Sequence, residues 1–279
     1  MNVYSPKEYW TRLAQNHSGA DSLGFAPVLH PGTPAWFNEK IDKWQARAWH
    51  RALDACALRA GAPVLDVGCG TGRWLRRFRE RGLSPVGIDQ STPMLRLARK
   101  NGTATPMLAA ELEHLPFANE SFDCVSSITV VQHIARSQQR RALDEIVRVL
   151  RHGGYLILLE ASRGDGPHVF VRSPSEWVTE ITSMGPKLLT CFGQEYLFLD
   201  RFVVALARKL HRLTGAQSSQ GLPVTLTNAS EKPPRPSTAR RAYWALRRIA
   251  VACSAGFEPV AERTCGTNLA THAVFVFRK

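Results

Sequence analysis

The sequence predicts an α/β chain built on a doubly wound, mostly parallel sheet, and three observations carry that expectation. The stretch Val64-Leu65-Asp66-Val67-Gly68-Cys69-Gly70-Thr71-Gly72 sets a short apolar run against three glycines at alternate positions, and a helical stretch from Arg73 to Phe78 follows. That is a buried strand entering a tight turn and then a helix. Short apolar runs go on alternating with amphipathic stretches as far as Glu160, which is the pattern of a parallel sheet with helical crossovers. Near the end, His272, Val274 and Val276 alternate with Ala273, Phe275 and Phe277, the two-residue period of a late strand.

Taken in order, residues 1–60 read as helical and loop material ahead of the core. Glu8 to Ala14 suits a short amphipathic helix, and Gly19 to Pro34 a loop by its glycines and prolines. Trp36 to Leu58 suits a long helix with Phe37, Ile41, Trp44, Ala48, Leu53 and Ala57 near one face. The core, 61–160, begins with a strand at 63–67 and a helix at about 72–81. A strand at 84–89 leads to a helix capped by Ser91 with Pro93 in its first turn. Strands near 105–109 and at 122–128 precede a helix at about 137–150, which passes through His152-Gly153-Gly154 to a fifth strand, Tyr155 to Glu160.

Residues 161–254 read as a helical insertion after that strand. Ser173-Pro174-Ser175-Glu176-Trp177 is a helix start. Leu197 to Leu213 sets Phe202, Leu206, Leu210 and Leu213 against Arg201, Arg208, Lys209 and Arg212, either a solvated basic face or one that lies on a membrane surface. Gly215 to Thr238, rich in Ser, Gln, Pro and Thr, reads as a mobile loop, and a helix over 239–254 follows. Residues 255–279 are expected to close the sheet, with strands at 257–263 and 271–278; 187–192 is a rival for the first of these.

The chain has 279 residues, 44% hydrophobic and 21% charged, the balance of a globular protein with a full core. No apolar run approaches the roughly 20 residues that span a bilayer. The first residues lack the apolar segment of a secretory signal, so the expected location is the cytoplasm. Six cysteines stand scattered with no C-x-x-C pair, which argues against a zinc site or a disulfide framework, and no metal is expected. A net charge of +13 admits a solvated surface, an anionic small substrate or lipid surface, or nucleic acid.

The glycine turn suits a ligand because Gly68 and Gly70 let backbone amides approach it closely, and the helix behind offers unpaired N–H groups. Dinucleotide folds use such a turn as G-x-G-x-x-G, but the third position here is Arg73, whose bulk obstructs close helix–strand packing. The next apolar run ends in Asp89, where a carboxylate can accept both hydroxyls of a ribose.

With these residues the sequence resembles the class I (Rossmann-like) methyltransferases that use S-adenosyl-L-methionine, in their small-molecule branch. The resemblance rests on VLDVGCGTG at 64–72, GIDQS at 87–91, AAELEHLPFANESFD at 109–123, CVSSITVVQHI at 124–134 and RVLRHGGYLILLE at 148–160. It implies a seven-stranded sheet whose last strand is antiparallel, with the leading segment folded over the cofactor as a lid. It implies that Asp66 orients the turn and the methionine amine, and that Gly68, Cys69 and Gly70 line the methionine and ribose. Asp89 takes the ribose hydroxyls, with Gln90 and Met94 beside the adenine. Glu111 stands where the family often has Asp and accepts from the adenine amino group, with Leu112 beside it. Glu113 is a competing, solvent-facing reading of that charge. Arg73 pairs with the cofactor carboxylate or is a plain surface arginine.

The turn from Ser127 to Ile134 faces the transferable methyl group in that family, so Ser127 joins the cofactor set and Thr129 the acceptor side. His133 is either a general base or an orienting side chain. Tyr9 and Trp10 either close over the acceptor or dock their helix on the core. No N-P-P-Y-type tetrapeptide follows the fourth strand, which weakens methylation of nucleic-acid bases. The expected reaction is methyl transfer to an oxygen or nitrogen nucleophile on a small metabolite, such as a natural product, sugar or lipid precursor. An RNA- or membrane-surface enzyme using the basic face and a non-catalytic nucleotide-binding protein remain the alternatives.

Overall fold

The computed structural model describes residues 4–16, 33–164, 166, 168–213, 238–267 and 269–279. Two helices, α1 (Pro6–Gln15) and α2 (Ala35–Asp54), precede the core. The core runs β1 (Pro63–Val67), α3 (Arg73–Glu80), β2 (Ser84–Asp89), α4 (Thr92–Lys100), β3 (Met107–Ala109) and β4 (Phe122–Ile128). After a single 3-10 turn, Val131–His133, come α5 (Arg136–Val149), β5 (Leu150–Ala161), α6 (Pro174–Thr182) and β6 (Lys187–Gln194). Helices α7 (Phe198–Leu213) and α8 (Thr238–Cys265) lead to the closing strand β7 (His272–Arg278).

These seven strands form one sheet in the order β3-β2-β1-β4-β5-β7-β6. The first five run parallel, and β7 is antiparallel to both of its neighbours. The strand order reverses between β1 and β4, so the loops at their carboxyl ends part and leave a crevice, the usual ligand position of an open α/β sheet.

The two-residue period sorts the core onto the two sheet faces. Leu156, Leu158, Phe275 and Phe277 join Leu143 and Ile146 of α5 and Trp177 of α6 on one side. Ile157, Leu159, Val274 and Val276 join Trp49 of α2 and Trp74 and Phe78 of α3 on the other. Each of these side chains is at least nine-tenths buried, and full burial of such a side chain stabilises the fold by about 1.5–3 kcal/mol. Local chemistry fixes the helix starts. Ser91 accepts from the Met94 N–H, and Ser173 with Glu176 forms a reciprocal capping box with Pro174 in the first turn.

Three boundaries differ from the sequence expectation. The sixth strand is the rival stretch, β6, whereas 257–263 lies inside α8. Gly256 and Pro259 look like strand punctuation, yet Ala250, Val251, Ser254 and Ala261 recur with helical period and are all buried, and that packing carries the helix past both breakers. Of residues 255–279, only His272–Arg278 is therefore strand. β5 begins at Leu150, not Tyr155, because the His152-Gly153-Gly154 segment continues the ladder through a register shift opposite Phe122 and Cys124. The predicted loops at 19–34 and 215–238 fall almost wholly outside the described residues.

Candidate functional site

A cleft of about 850 Å³, including its open mouth, lies at the carboxyl ends of β1, β2 and β4. Gly68, Cys69, Gly70, Asp89, Gln90 and Met94 form one wall of it. The turn is tightly specified. Gly68 has φ +67°, and a Cβ there would stand 2.5 Å from both γ-methyls of Val130. Glycine thus lets the first turn and the strand-four turn meet face to face.

Asp89 is held rigidly. Its Oδ2 accepts the Gly70 N–H at 2.9 Å and its Oδ1 accepts the Ser91 N–H at 2.8 Å. A carboxylate offers about four acceptor sites, so two remain for a ligand's hydroxyls. Burial pushes its pKa up to about 6, against the pull of those two amides. Asp66 is not on the wall but behind the turn, 1% exposed. Its Oδ1 accepts from Ser126 Oγ at 3.0 Å, while Oδ2 is buried with no hydrogen-bond partner among the described residues. Burial pushes Asp66 up to about 7. A buried acceptor left unmatched beside a ligand cleft is what a site for a cationic, donor-bearing ligand presents in its absence.

Arg73 is neither a plain surface residue nor dedicated to the cleft. It is 4% exposed, lines the cavity, and donates to Asp42 at 3.0 Å and to Gln45 at 2.8 Å, both on α2. Arg77 donates to the other oxygen of Asp42 at 2.7 Å. On the opposite side, Leu112 lines the cleft, but Glu111 does not. Glu111 is exposed and sits 3.6 Å from Lys7, while Glu113 takes the place on the wall. The charge at 111 thus points away from the cleft, and the acid two positions on faces in.

A further wall consists of Pro6 and Trp10 of α1, with Thr129, Val130, His133 and Ile134. α1 lies over the cleft because Leu13 and Ala14 pack on Met94 and Thr11 Oγ1 donates to Ser91 Oγ at 3.2 Å. Trp10 meets the His133 ring edge-on at 5.0 Å. Tyr9 stands behind that wall, stacked on His168 at 4.6 Å, and so supports Trp10 without lining the cleft. Ser127 is also behind the wall, donating to Glu160 Oε1 at 3.0 Å.

Glu160, which the sequence shows only as a strand end, organises this side. Besides Ser127, it accepts from the backbone N–H groups of Val130, Val131 and Gln132 at 3.3, 3.1 and 3.1 Å. One fully buried carboxylate thereby fixes the turn that carries Thr129, held at φ +57°, and His133. Burial outweighs those four donors and pushes Glu160 up to about 7.

His133 Nδ1 lies 2.8 Å from the His168 carbonyl, which can only accept, so Nδ1 carries the proton. Its Nε2 then faces the Gln132 side-chain amide at 3.2 Å. Burial pushes its pKa down to about 4. Both ring nitrogens are engaged and the ring is neutral, an arrangement that suits an orienting side chain better than a general base. Sequence reasoning missed Trp74 and Glu160, which carry no local signal, and read Glu113, which lines the cleft, as solvent-facing. Among the described residues no group of three or more His, Cys, Asp or Glu side chains could hold a metal.

Comparison with known proteins adds to this geometry. Residues 65–158 match the family described as methyltransferase domain. The chain is similar to the demethylmenaquinone methyltransferase of Paenarthrobacter aurescens strain TC1, 31% identical over 126 residues, covering 45% of this chain and 49% of that protein. It is similar to the malonyl-[acyl-carrier protein] O-methyltransferase of Salmonella typhimurium strain LT2, 40% identical over 111 residues, covering 40% and 43%. The chain therefore spans about half the length of the curated relatives it matches. Its fold is similar to that of the [4+2]-cyclase SpnF, with a TM-score of 0.52 at 21% identity over 84% of this chain and 80% of the other.

Proposed function

We propose that the chain, whose residues 65–158 match the methyltransferase domain family, is a class I, Rossmann-like methyltransferase that uses S-adenosyl-L-methionine and transfers a methyl group to an oxygen or nitrogen nucleophile on a small metabolite. The observation that carries this reading is the pairing of the glycine turn with Asp89 on one wall of the cleft, with Asp66 Oδ2 left without a donor behind it among the described residues. In this reading Asp89 takes the ribose hydroxyls, and Gln90, Met94 and Leu112 border the adenine. Glu113, not Glu111, is the acid within reach of that end. Asp66 supports the turn and orients the methionine amine through water or backbone, and Arg73 offers the carboxylate a cation already fixed by α2. When bound, the cofactor supplies an electrophilic methyl carbon on a sulfonium. The rest is positioning and exclusion of water, effects that reach about 7–11 kcal/mol for well-oriented partners.

The acceptor wall is apolar and aromatic: Trp10, Trp74, Ile128, Val130 and Ile134. It suits an acceptor with a flat or apolar face, whose nucleophile carries its own lone pair, since the neutral His133 offers little basicity. The aromatic faces also suit a passing positive charge. Names of relatives that act on a quinone precursor and on a malonyl thioester carrier protein support a small carbon-rich acceptor.

Titration calorimetry with S-adenosylhomocysteine tests the cofactor half, with NAD as control. Transfer of label from methyl-tritiated cofactor into solvent-extractable metabolites tests the acceptor half. Binding of NAD in preference to the sulfur nucleoside sinks the proposal, and label that appears only in RNA or protein refutes the small-molecule acceptor.

A further inference from the structure

The α7 and α8 helices carry an apolar surface that the fold leaves uncovered among the described residues. Leu246, Ile249, Phe257 and Val260 of α8 are all exposed, Ile249 at 63% and Phe257 at 64%. With Cys253, also exposed, they recur at steps of three and four, which places them along one stripe of the helix. Ala250, Val251, Ser254 and Ala261 take the inner face and are buried. On α7, Phe202 is 67% exposed and Leu206 47%, four residues apart on one face, with exposed Lys209 a turn further. Most exposed large apolar side chains of the described residues lie on these two helices, and single scattered ones would need no explanation.

The charge of the same helices selects what covers that surface. Their acids are Asp200, Glu258 and Glu262, and all three are spent inward. Asp200 forms a two-point pair with Arg247 at 2.7 Å, Glu258 accepts the Glu195 N–H at 3.0 Å, and Glu262 pairs with Arg51. Arg241, Arg248 and Arg263 of α8 are exposed as well, Arg248 with its guanidinium 5.8 Å from the Trp36 ring. Among the described residues these two helices thus present exposed aliphatic, aromatic and cationic groups and no exposed acid. A second copy of the chain would bring like charges together. Nucleic acid would satisfy the arginines but leave Ile249, Phe257 and Phe202 against water.

We propose that this face docks the protein on an anionic lipid surface, the apolar stripe entering the headgroup–acyl boundary and the arginines lying on the acidic headgroups. This rests on nothing assumed about the methyl acceptor. The hairpin is coupled to the cleft, because Leu197 and Val251 pack with Phe37, Ile41 and Trp44 of α2, the helix whose Asp42 and Gln45 hold Arg73. A docked protein therefore holds its cleft in a fixed orientation relative to the bilayer.

The test is co-sedimentation of the full chain with phosphatidylglycerol vesicles and with phosphatidylcholine vesicles, alongside Ile249→Glu/Phe257→Glu and Arg241→Glu/Arg248→Glu. The protein should partition onto the acidic vesicles, release as salt rises, and bind neutral vesicles far less. Each double variant should lose on the order of tenfold or more in partition, given about 1 kcal/mol per basic residue near such a surface, with the thermal midpoint and S-adenosylhomocysteine binding unchanged. Absence of binding to acidic vesicles, or equal binding by the variants, overturns the proposal. So does dimerisation in solution that the Ile249→Glu/Phe257→Glu variant abolishes, or salt-sensitive RNA binding that the arginine variant abolishes while vesicle binding persists.

Discussion

Replacing Asp66 by Asn should change how the stability of the ligand-free protein depends on pH. Asp66 is sealed behind the glycine turn with one oxygen bonded to Ser126 and the other unmatched. Burial raises its pKa from 3.8 to about 7. The sign follows from proton counting. Below the unfolded value both states are protonated and ionisation costs nothing. As pH rises from there, the unfolded chain releases its proton first, so stability falls until the folded group ionises near the upper value and is level beyond it. At 1.36 kcal/mol per unit, the interval from about pH 4.5 to about pH 7 is worth roughly 3 kcal/mol. Asn keeps the acceptor for Ser126 and does not titrate, though its amide needs a partner and costs about 1–3 kcal/mol of its own at every pH. The absolute stability of the variant is therefore less telling than its trend: the difference between variant and wild type should move in favour of Asn by roughly 3 kcal/mol between about pH 4.5 and about pH 8. Urea unfolding followed by fluorescence at several pH values reads this directly. Parallel stability curves for the two proteins would refute the account of Asp66 as an unpaired buried acid.

Three further perturbations bear on the cleft. Gly68→Ala should lower stability by about 2–4 kcal/mol, since the left-handed backbone costs about 1–2 kcal/mol and the new methyl meets the stiff Val130 at 2.5 Å; adding Val130→Ala should restore part of it in thermal melts, and a lack of recovery discounts the contact. Glu160→Gln offers an amide donor to a ring of donors, so S-adenosylhomocysteine binding should weaken modestly and methyl transfer by at least tenfold, whereas equal losses in both would point to general unfolding. Asp89→Ala should raise the dissociation constant for S-adenosylhomocysteine by roughly tenfold or more, in keeping with hydrogen bonds to a charged group worth about 1.5–3 kcal/mol; an unchanged constant in calorimetry removes Asp89 from the site.

The segment from β1 to β5 was legible because its information is local. Apolar runs, glycines that need left-handed backbone, and the Ser91 and Ser173 caps each act within a few residues. What escaped is long-range. β6 lies at a sheet edge with a register irregularity between Leu188 and Thr190, so its alternation is broken, while α8 hides its period behind Gly256 and Pro259. In the cleft, Asp89 and the glycines are named by their turn, but Glu160 matters only because four donors from another strand's turn converge on it. The burial of Arg73 was hidden for the same reason: its partners are 31 and 28 residues upstream, in a helix with no motif.

The ion pairs between α3 and α2 set the smallest fragment that can be cut from this chain. A piece starting at the first strand would retain the glycines and every acid of the nucleotide wall. It would also strip Asp42 from Arg73 and Arg77, two guanidinium groups packed against the face of Trp74. Orphaning even one buried charge costs about 3–5 kcal/mol, a large share of what holds a domain of this size together. Any minimal version of the protein must carry that upstream helix along.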